Sequence, residues 1–392
     1  MSTSRAPRID WLLMLAVVGL VTIGTLLVWS ATSARDDLTG GDPTAFLRKQ
    51  VVNVAIGVVL LLVVIAADHR WVRLVAPLVY LASIAGLVLV LVMGTTVNGS
   101  KSWLMVGGMS IQPAEFAKLA VVIGMALVLA ERAAGQWRAR VGLTDVVLML
   151  VVAGVPAVLI ILQPDLGTML VLSATVFGVL GVSGAPRRWL LLLAGGVVTA
   201  AVAAVSAGLL KPYQVDRFLA FTNPDLDPQG AGYNVEQARI AIGSGGLFGK
   251  GLFDGSQTRS GFVPEQHTDF IFTVAGEELG LVGAGLMIAL LGIVLWRALL
   301  IAQRTDDVFG RVAAAGIACW FGFQAFQNIG MCLGIMPVTG VPLPFVSYGG
   351  SSMFAGMLAV GLLQNIHLRT TTPAPTRYVM AERRPVRLVG SR

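Results

Sequence analysis

Charge is scarce in this chain. Asp, Glu, Lys and Arg make up 12% of its 392 residues, where a soluble globular domain carries about 25%. So few charges cannot clothe a water-exposed surface, which excludes an ordinary soluble fold. Cysteine is nearly absent: Cys319 and Cys332 are the two present. They fall in one apolar stretch and make neither a disulfide framework nor a metal-ligand spacing. The three histidines, His69, His267 and His367, lie far apart in the sequence and form no metal motif. Alternating ten-residue segments are missing too, which excludes a membrane barrel.

What is abundant is apolar surface. Hydrophobic residues make up 56% of the chain, in long runs such as Trp11–Trp29 and Leu74–Val92. Each run matches the roughly 20 residues that cross a bilayer as a helix. The pattern predicts an all-α polytopic membrane protein with about ten transmembrane helices. They are placed near 10–31, 48–67, 72–94, 113–131, 144–162, 166–184, 187–209, 268–298, 309–333 and 350–368. The segment 268–298 is long for one crossing and is expected to tilt or protrude. The first run is too long for a signal-peptide core and reads as a retained span. The chain reads as one transmembrane domain over 1–392, with a large loop at 210–267 between spans 7 and 8 and a basic tail at 370–392.

The net charge of +7 is not a nucleic-acid signature, because no basic stripe with interleaved aromatics is present. The arginines cluster in short connections: Arg70 with Arg73, Arg132 with Arg138 and Arg140, Arg187 with Arg188, and again in the tail. Basic residues in short loops stay inside. Both termini are therefore expected in the cytoplasm, with the large loop extracytoplasmic. Contact with anionic membrane lipids is expected of the tail.

The polar residues at the outer boundary carry the candidate chemistry. The stretch Gly261–Phe272 closes the large loop and sets Asp269 where an apolar run begins. A carboxylate there is solvated, paired or used. It reads either as a helix-capping acid or as a base. His267 and Glu265 lie beside it in sequence. Glu115 and Lys118 are three apart and share a helix face. They read as a self-neutralising pair or as groups that hold a phosphate. Lys101 lies in the preceding outer loop, Asp165 in a short turn, and Arg217 and Lys250 in the large loop. Gly243–Gly251 is rejected as a nucleotide-binding loop: Ser244 stands where the first glycine is needed, and Gly251 where Ser or Thr is needed. Close approach between helices or a flexible hinge is the better reading of those glycines. Gly340–Phe345 and Ser347–Ser352 form an outer connection too proline-rich for a regular helix. It is expected to wall a site, with Ser351 and Ser352 as polar lining.

Seven short motifs occur in order along the chain. They are Gly99-Ser-Lys-Ser-Trp103, Gln112-Pro-Ala-Glu-Phe-Ala-Lys118, Gln163-Pro-Asp-Leu-Gly-Thr168 and Ile240-Ala-Ile-Gly-Ser-Gly-Gly246, followed by Pro264–Ile271, Glu277-Glu-Leu-Gly280 and Gly334–Ser352. At these residues the sequence resembles the SEDS family (shape, elongation, division and sporulation) over essentially its whole length. Gly249–Thr258 is similar to the loop of the RodA branch more than the FtsW branch. Phe253 and Ser256 replace that loop's usual Trp and Thr, and Ser110 stands where many relatives carry Arg.

The resemblance implies a peptidoglycan glycosyltransferase in the bacterial inner (plasma) membrane. Such an enzyme polymerises lipid II from the outer leaflet beside a class B penicillin-binding protein. A divalent cation, Mg2+ or Mn2+, is implied by the diphosphate chemistry. Asp269 matches the family's catalytic aspartate and becomes the expected general base. Lys101, Glu115, Lys118, Asp165, Arg217, Lys250, Glu265, His267, Ser351 and Ser352 become expected substrate-binding residues. A lipid II flippase and a scaffold for cell-wall enzymes are the competing functions. The large outer loop with its acid favours the polymerase over a flippase, whose charges would sit at mid-membrane.

Overall fold

The computed structural model describes residues 9–97, 100–107, 109–133, 141–208 and 230–370. Its long helices are α1 (Trp11–Ser33), α3 (Ala45–Ala66), α4 (His69–Met93), α5 (Pro113–Ala133), α6 (Leu143–Leu162), α7 (Leu166–Val182) and α8 (Arg187–Ser206), then α12 (Gly280–Arg304), α13 (Val308–Leu333) and α14 (Gly350–Thr370). Short helices fill the connections: α2 (Asp36–Thr39), α9 (Ala231–Ser244), α10 (Ser256–Ser260) and α11 (Ile271–Val274). The long helices fall on the ten expected spans. Among the described residues, seven helical segments are long and apolar enough to cross a membrane, and α7 is a shorter apolar helix.

Side-chain distribution explains the arrangement. α5 and α13 are buried on nearly every face, and so is the body of α14. On α4, α6, α8 and α12 large apolar side chains such as Leu78, Val158, Leu191 and Leu281 point outward. An apolar exterior around a packed centre is the pattern of a helix bundle in lipid. α3 buries one stripe, Gln50, Asn53, Gly57 and Leu61, and packs that stripe along α14.

Three features depart from a plain bundle. The chain between α4 and α5 forms three short strands, β1 (Thr95–Val97), β2 (Ser100–Val106) and β3 (Met109–Ile111), paired antiparallel in that order. The protein therefore carries a small sheet that apolar runs alone do not foretell. Second, the expected span 268–298 is broken. α11 passes into a π-helical turn, Ala275–Leu279, and Gly280 (φ +67°) restarts the chain as α12. Backbone freed by such a break needs partners at membrane depth, and the glycine-rich stretch after α9 supplies them. Leu281 N and Val282 N donate to the Gly246 and Leu247 carbonyls at 2.9 and 3.0 Å. Lys250 N and Gly251 N donate to the Glu277 and Glu278 carbonyls at 3.0 and 3.1 Å. Gly249 (φ +79°) lies so close to the Glu278 carbonyl that a β-carbon would overlap it.

Third, residues 334–349 form an irregular strap in which Val341, Leu343, Phe345 and Val346 are buried. Three amides on one face of α13 satisfy its backbone. Gln324 Nε2 donates to the Pro342 carbonyl at 2.9 Å, Gln327 Nε2 to Pro337 at 3.0 Å, and Asn328 Nδ2 to Val341 at 2.7 Å.

Candidate active site

Asp269 sits in a tight turn that leads into α11. Glu265 opens the turn at φ +50°, and its carbonyl accepts from the amides of Thr268, Asp269 and Phe270 at 3.1–3.2 Å. α11 starts after Phe270, so Asp269 precedes the helix rather than belonging to its first turn. The residue is half-buried and its carboxylate lies against the strap. A β-carbon on Gly340 (φ +70°) would stand 3.1 Å from Oδ2. Asn328, fully buried, holds the turn from behind: its Nδ2 donates to both the Asp269 and the Val341 carbonyls at 2.7 Å. Asn328 was not expected from sequence. The available signal was three amides, Gln324, Gln327 and Asn328, at helical spacing inside an apolar segment.

His267 occupies the same turn. Its carbonyl accepts from Tyr348 N at 2.9 Å, tying the Asp269 turn to the end of the strap. Its ring meets Phe46 of α3 and Tyr348, with centroids 5.0 and 5.7 Å away. Burial holds its pKa below the usual imidazole range, Glu265 pulls it up, and Arg35 pushes it further down. Glu265 accepts from the Thr268 hydroxyl at 3.2 Å.

The other expected residues divide by surroundings. Glu115 and Lys118 are deeply buried on α5, 2.7 Å apart. Lys118 Nζ also donates to Gln324 Oε1 at 2.7 Å and lies 5.3 Å from the Trp320 ring centroid. The geometry seen is that of a charge pair, joined to the strap through Gln324. Asp165 caps α7, accepting from Thr168 N at 3.0 Å and Thr168 Oγ1 at 2.8 Å. It also accepts from Gln112 Nε2 at 3.0 Å. Gln112 N in turn donates to Ser351 Oγ at 2.8 Å, which links α7, α5 and α14. Ser351 is buried and Ser352 half-buried at the start of α14. Lys101 Nζ bonds the Leu91 and Val92 carbonyls at the end of α4, at 2.8 and 3.2 Å. Arg217 lies outside the described residues.

Lys250 belongs to a separate cluster centred on Glu277. That carboxylate is fully buried and accepts from Lys250 Nζ, Thr258 N and Thr258 Oγ1 at 2.8 Å and from Gln257 N at 2.9 Å. Glu278 beside it accepts from Ser30 Oγ of α1 at 2.6 Å, and Phe253 N donates to the same hydroxyl oxygen at 3.1 Å. The two acids lace the loop 250–258 and α1 to the π-helical turn eight residues beyond Asp269. Sequence marked them only as a motif.

Among the described residues no group of three or more His, Cys, Asp or Glu comes together to hold a metal ion.

Comparison with known proteins gives the family. The cell cycle protein family of FtsW, RodA and SpoVE matches residues 10–372. The chain is 37% identical over 365 residues to the probable peptidoglycan glycosyltransferase FtsW of Trichlorobacter lovleyi, covering 92% of this chain and 94% of that one. It is also 37% identical, over 360 residues, to the peptidoglycan glycosyltransferase MrdB of Escherichia coli K12, with the same coverage of each. A structure solved for a peptidoglycan synthase complex that coordinates polymerization and crosslinking matches with a TM-score of 0.76 at 32% identity, covering 92% of this chain and 98% of that one. From its motifs, its helical bundle and these matches, the chain is a polytopic helical membrane protein that belongs to the FtsW, RodA and SpoVE family, the SEDS family.

Proposed function

We propose that this peptidoglycan glycosyltransferase polymerises lipid II into glycan strands for cell-wall elongation, in the manner of RodA. The observation that carries the reading is Asp269, half-buried at the mouth of a broken helix and backed by Asn328. In the proposed reaction Asp269 takes the proton of the acceptor sugar's 4-hydroxyl. The freed oxygen attacks the donor's anomeric carbon with inversion. The bond from that carbon to the diphosphate breaks, and undecaprenyl diphosphate leaves with the electron pair. A leaving group of this acidity needs no proton, so one acid–base residue suffices. A divalent cation beside the diphosphate oxygens would neutralise their charge, as Mg2+ and Mn2+ do.

Clustered arginines in the connections between spans support cytoplasmic termini, an inner-membrane location and an outward-facing Asp269. The likeness to a synthase complex supports a class B penicillin-binding protein as partner. A septal, FtsW-like role is the second reading, favoured by the equal identity to an FtsW. The loop Gly249–Thr258 favours RodA.

The test is complementation. In cells depleted of the native elongation polymerase, the wild-type chain is expected to restore rod shape and Asp269→Asn is not, at equal membrane abundance. Rescue by Asp269→Asn would make the protein a scaffold. Rescue of septation but not of shape would assign the FtsW-like role.

A further inference from the structure

A lysine inside a membrane bundle is costly unless its three N–H groups are spent on partners. Lys118 of α5 is fully buried, and Glu115 Oε1 takes one of those groups at 2.7 Å. Gln324 Oε1 of α13 takes a second, also at 2.7 Å. The ammonium lies 5.3 Å from the centroid of the Trp320 ring, whose face attracts a cation. Held in this way, the charge has little left to offer a substrate phosphate. A buried ion pair is also weak ground for stability, because well-packed apolar residues in its place are often neutral or better. What the pair holds is the better guide to its use.

It holds the direction of one amide. Gln324, fully buried, accepts at Oε1 from Lys118 Nζ and from Trp320 Nε1, both at 2.7 Å. Two donors on that oxygen forbid the flipped amide, which would set NH2 against both. The NH2 group must then face the strap, where Nε2 donates to the Pro342 carbonyl at 2.9 Å. The strap is pinned again one residue earlier, where Asn328 Nδ2 holds both the Val341 and the Asp269 carbonyls. One residue earlier still is Gly340 (φ +70°), which lies against Asp269 Oδ2. A connected series of bonds thus runs from the charge pair on α5 to the candidate base.

We propose that Gln324 is a positioning residue for glycan polymerisation, and that Glu115 and Lys118 act through it rather than on the diphosphate. The ammonium sets the direction of the amide. The amide fixes the strap at Pro342, and the strap keeps Gly340 and the Asp269 carboxylate in register. The inference rests on the polymerase reading and assigns roles within that same site.

The test uses the full-length protein in nanodiscs with a class B penicillin-binding protein, lipid II and Mg2+. The variants are Gln324→Met, the pair variant Glu115→Gln/Lys118→Met, which removes both charges together, and the combination of all three changes. Gln324→Met and the pair variant are each expected to lower kcat by about tenfold or more, with KM for lipid II within about twofold of the wild type. The combination is expected to lose no more than the larger single loss, as residues acting as a unit do. Binding of undecaprenyl diphosphate is expected to be unchanged in all of them. Amide hydrogen exchange in the strap, 337–345, is expected to quicken in all of them and not in Asp269→Asn. A merely structural amide would lower the melting temperature and leave kcat per folded molecule and strap exchange as they are, which would overturn the proposal. Lost affinity for undecaprenyl diphosphate in the pair variant would make the pair a phosphate ligand and would also overturn it, as would additive losses in kcat. Should one variant fail to fold, the other carries the same comparison. Strap exchange and diphosphate binding need no turnover. Wild-type protein that makes no glycan therefore rejects the polymerase reading, whereas unchanged exchange in the variants rejects the positioning role.

Discussion

In the proposed reaction Asp269 acts through its placement, and its neighbours define what each substitution is expected to do. Removing a general base lowers turnover by about 10²–10⁴-fold, so Asp269→Asn is expected to lose glycan synthesis while keeping the fold. Asn328 works one step back, on the carbonyls of Asp269 and Val341. Asn328→Leu leaves both without that donor and is expected to cost about 1–3 kcal/mol of stability. It should also lower kcat more than it raises KM. Equal turnover in this variant would remove the positioning role. His267 offers a pH test. The unfolded imidazole titrates near 6.5, and burial lowers the folded value. Between the two the unfolded state binds more protons, so stability is full above about pH 6.5 and falls as the pH drops through that window. His267→Gln is expected to flatten the loss, read by thermal unfolding at pH 7.5 and 5.5. Sequence exposed Asp269 because a lone acid at an apolar boundary is conspicuous. Asn328 and Gln324 stayed hidden because a neutral amide inside an apolar run changes neither hydropathy nor charge. The burial of Lys118 was hidden too, since its position near the outer end of α5 made the charge look superficial.

At the scale of elements, the broken helix and the loop that repairs it form one unit. The expected single span through 268–298 is a helix, a π-helical turn and a second helix. Its composition is continuous, so hydropathy reported one run. Of the two readings the glycines of 243–251 allowed, close approach is the one seen, and the surface approached is the π-helical turn. Glu277 is the clasp of this unit. Breaking a buried, hydrogen-bonded charge pair costs about 3–5 kcal/mol. Glu277→Ala is expected to lower stability by that order and to make the loop 250–258 accessible to protease. A variant as stable and as resistant as the wild type would deny the clasp. The three short strands before α5 escaped notice because segments this brief carry no readable alternation.

At the scale of the whole molecule, the ten expected spans fall on ten helices among the described residues, and seven helical segments there meet the length and apolarity that lipid imposes on a crossing. What apolar periodicity does not encode is the strap 334–349, whose path depends on the amides of α13. Orientation is testable by fusions. A periplasmic reporter at residue 225 is expected to be active and one at the C-terminus inactive, and the reverse pattern would put Asp269 on the wrong side. Chelation of divalent cations is expected to abolish synthesis, with recovery on adding Mg2+ or Mn2+. The most direct measurement gives lipid II and a divalent cation to the purified protein, with and without a class B penicillin-binding protein, beside Asp269→Ala. Long glycan from the wild type and none from a folded Asp269→Ala is the predicted result. No glycan from the wild type with partner present, or equal glycan from the variant, would contradict the account.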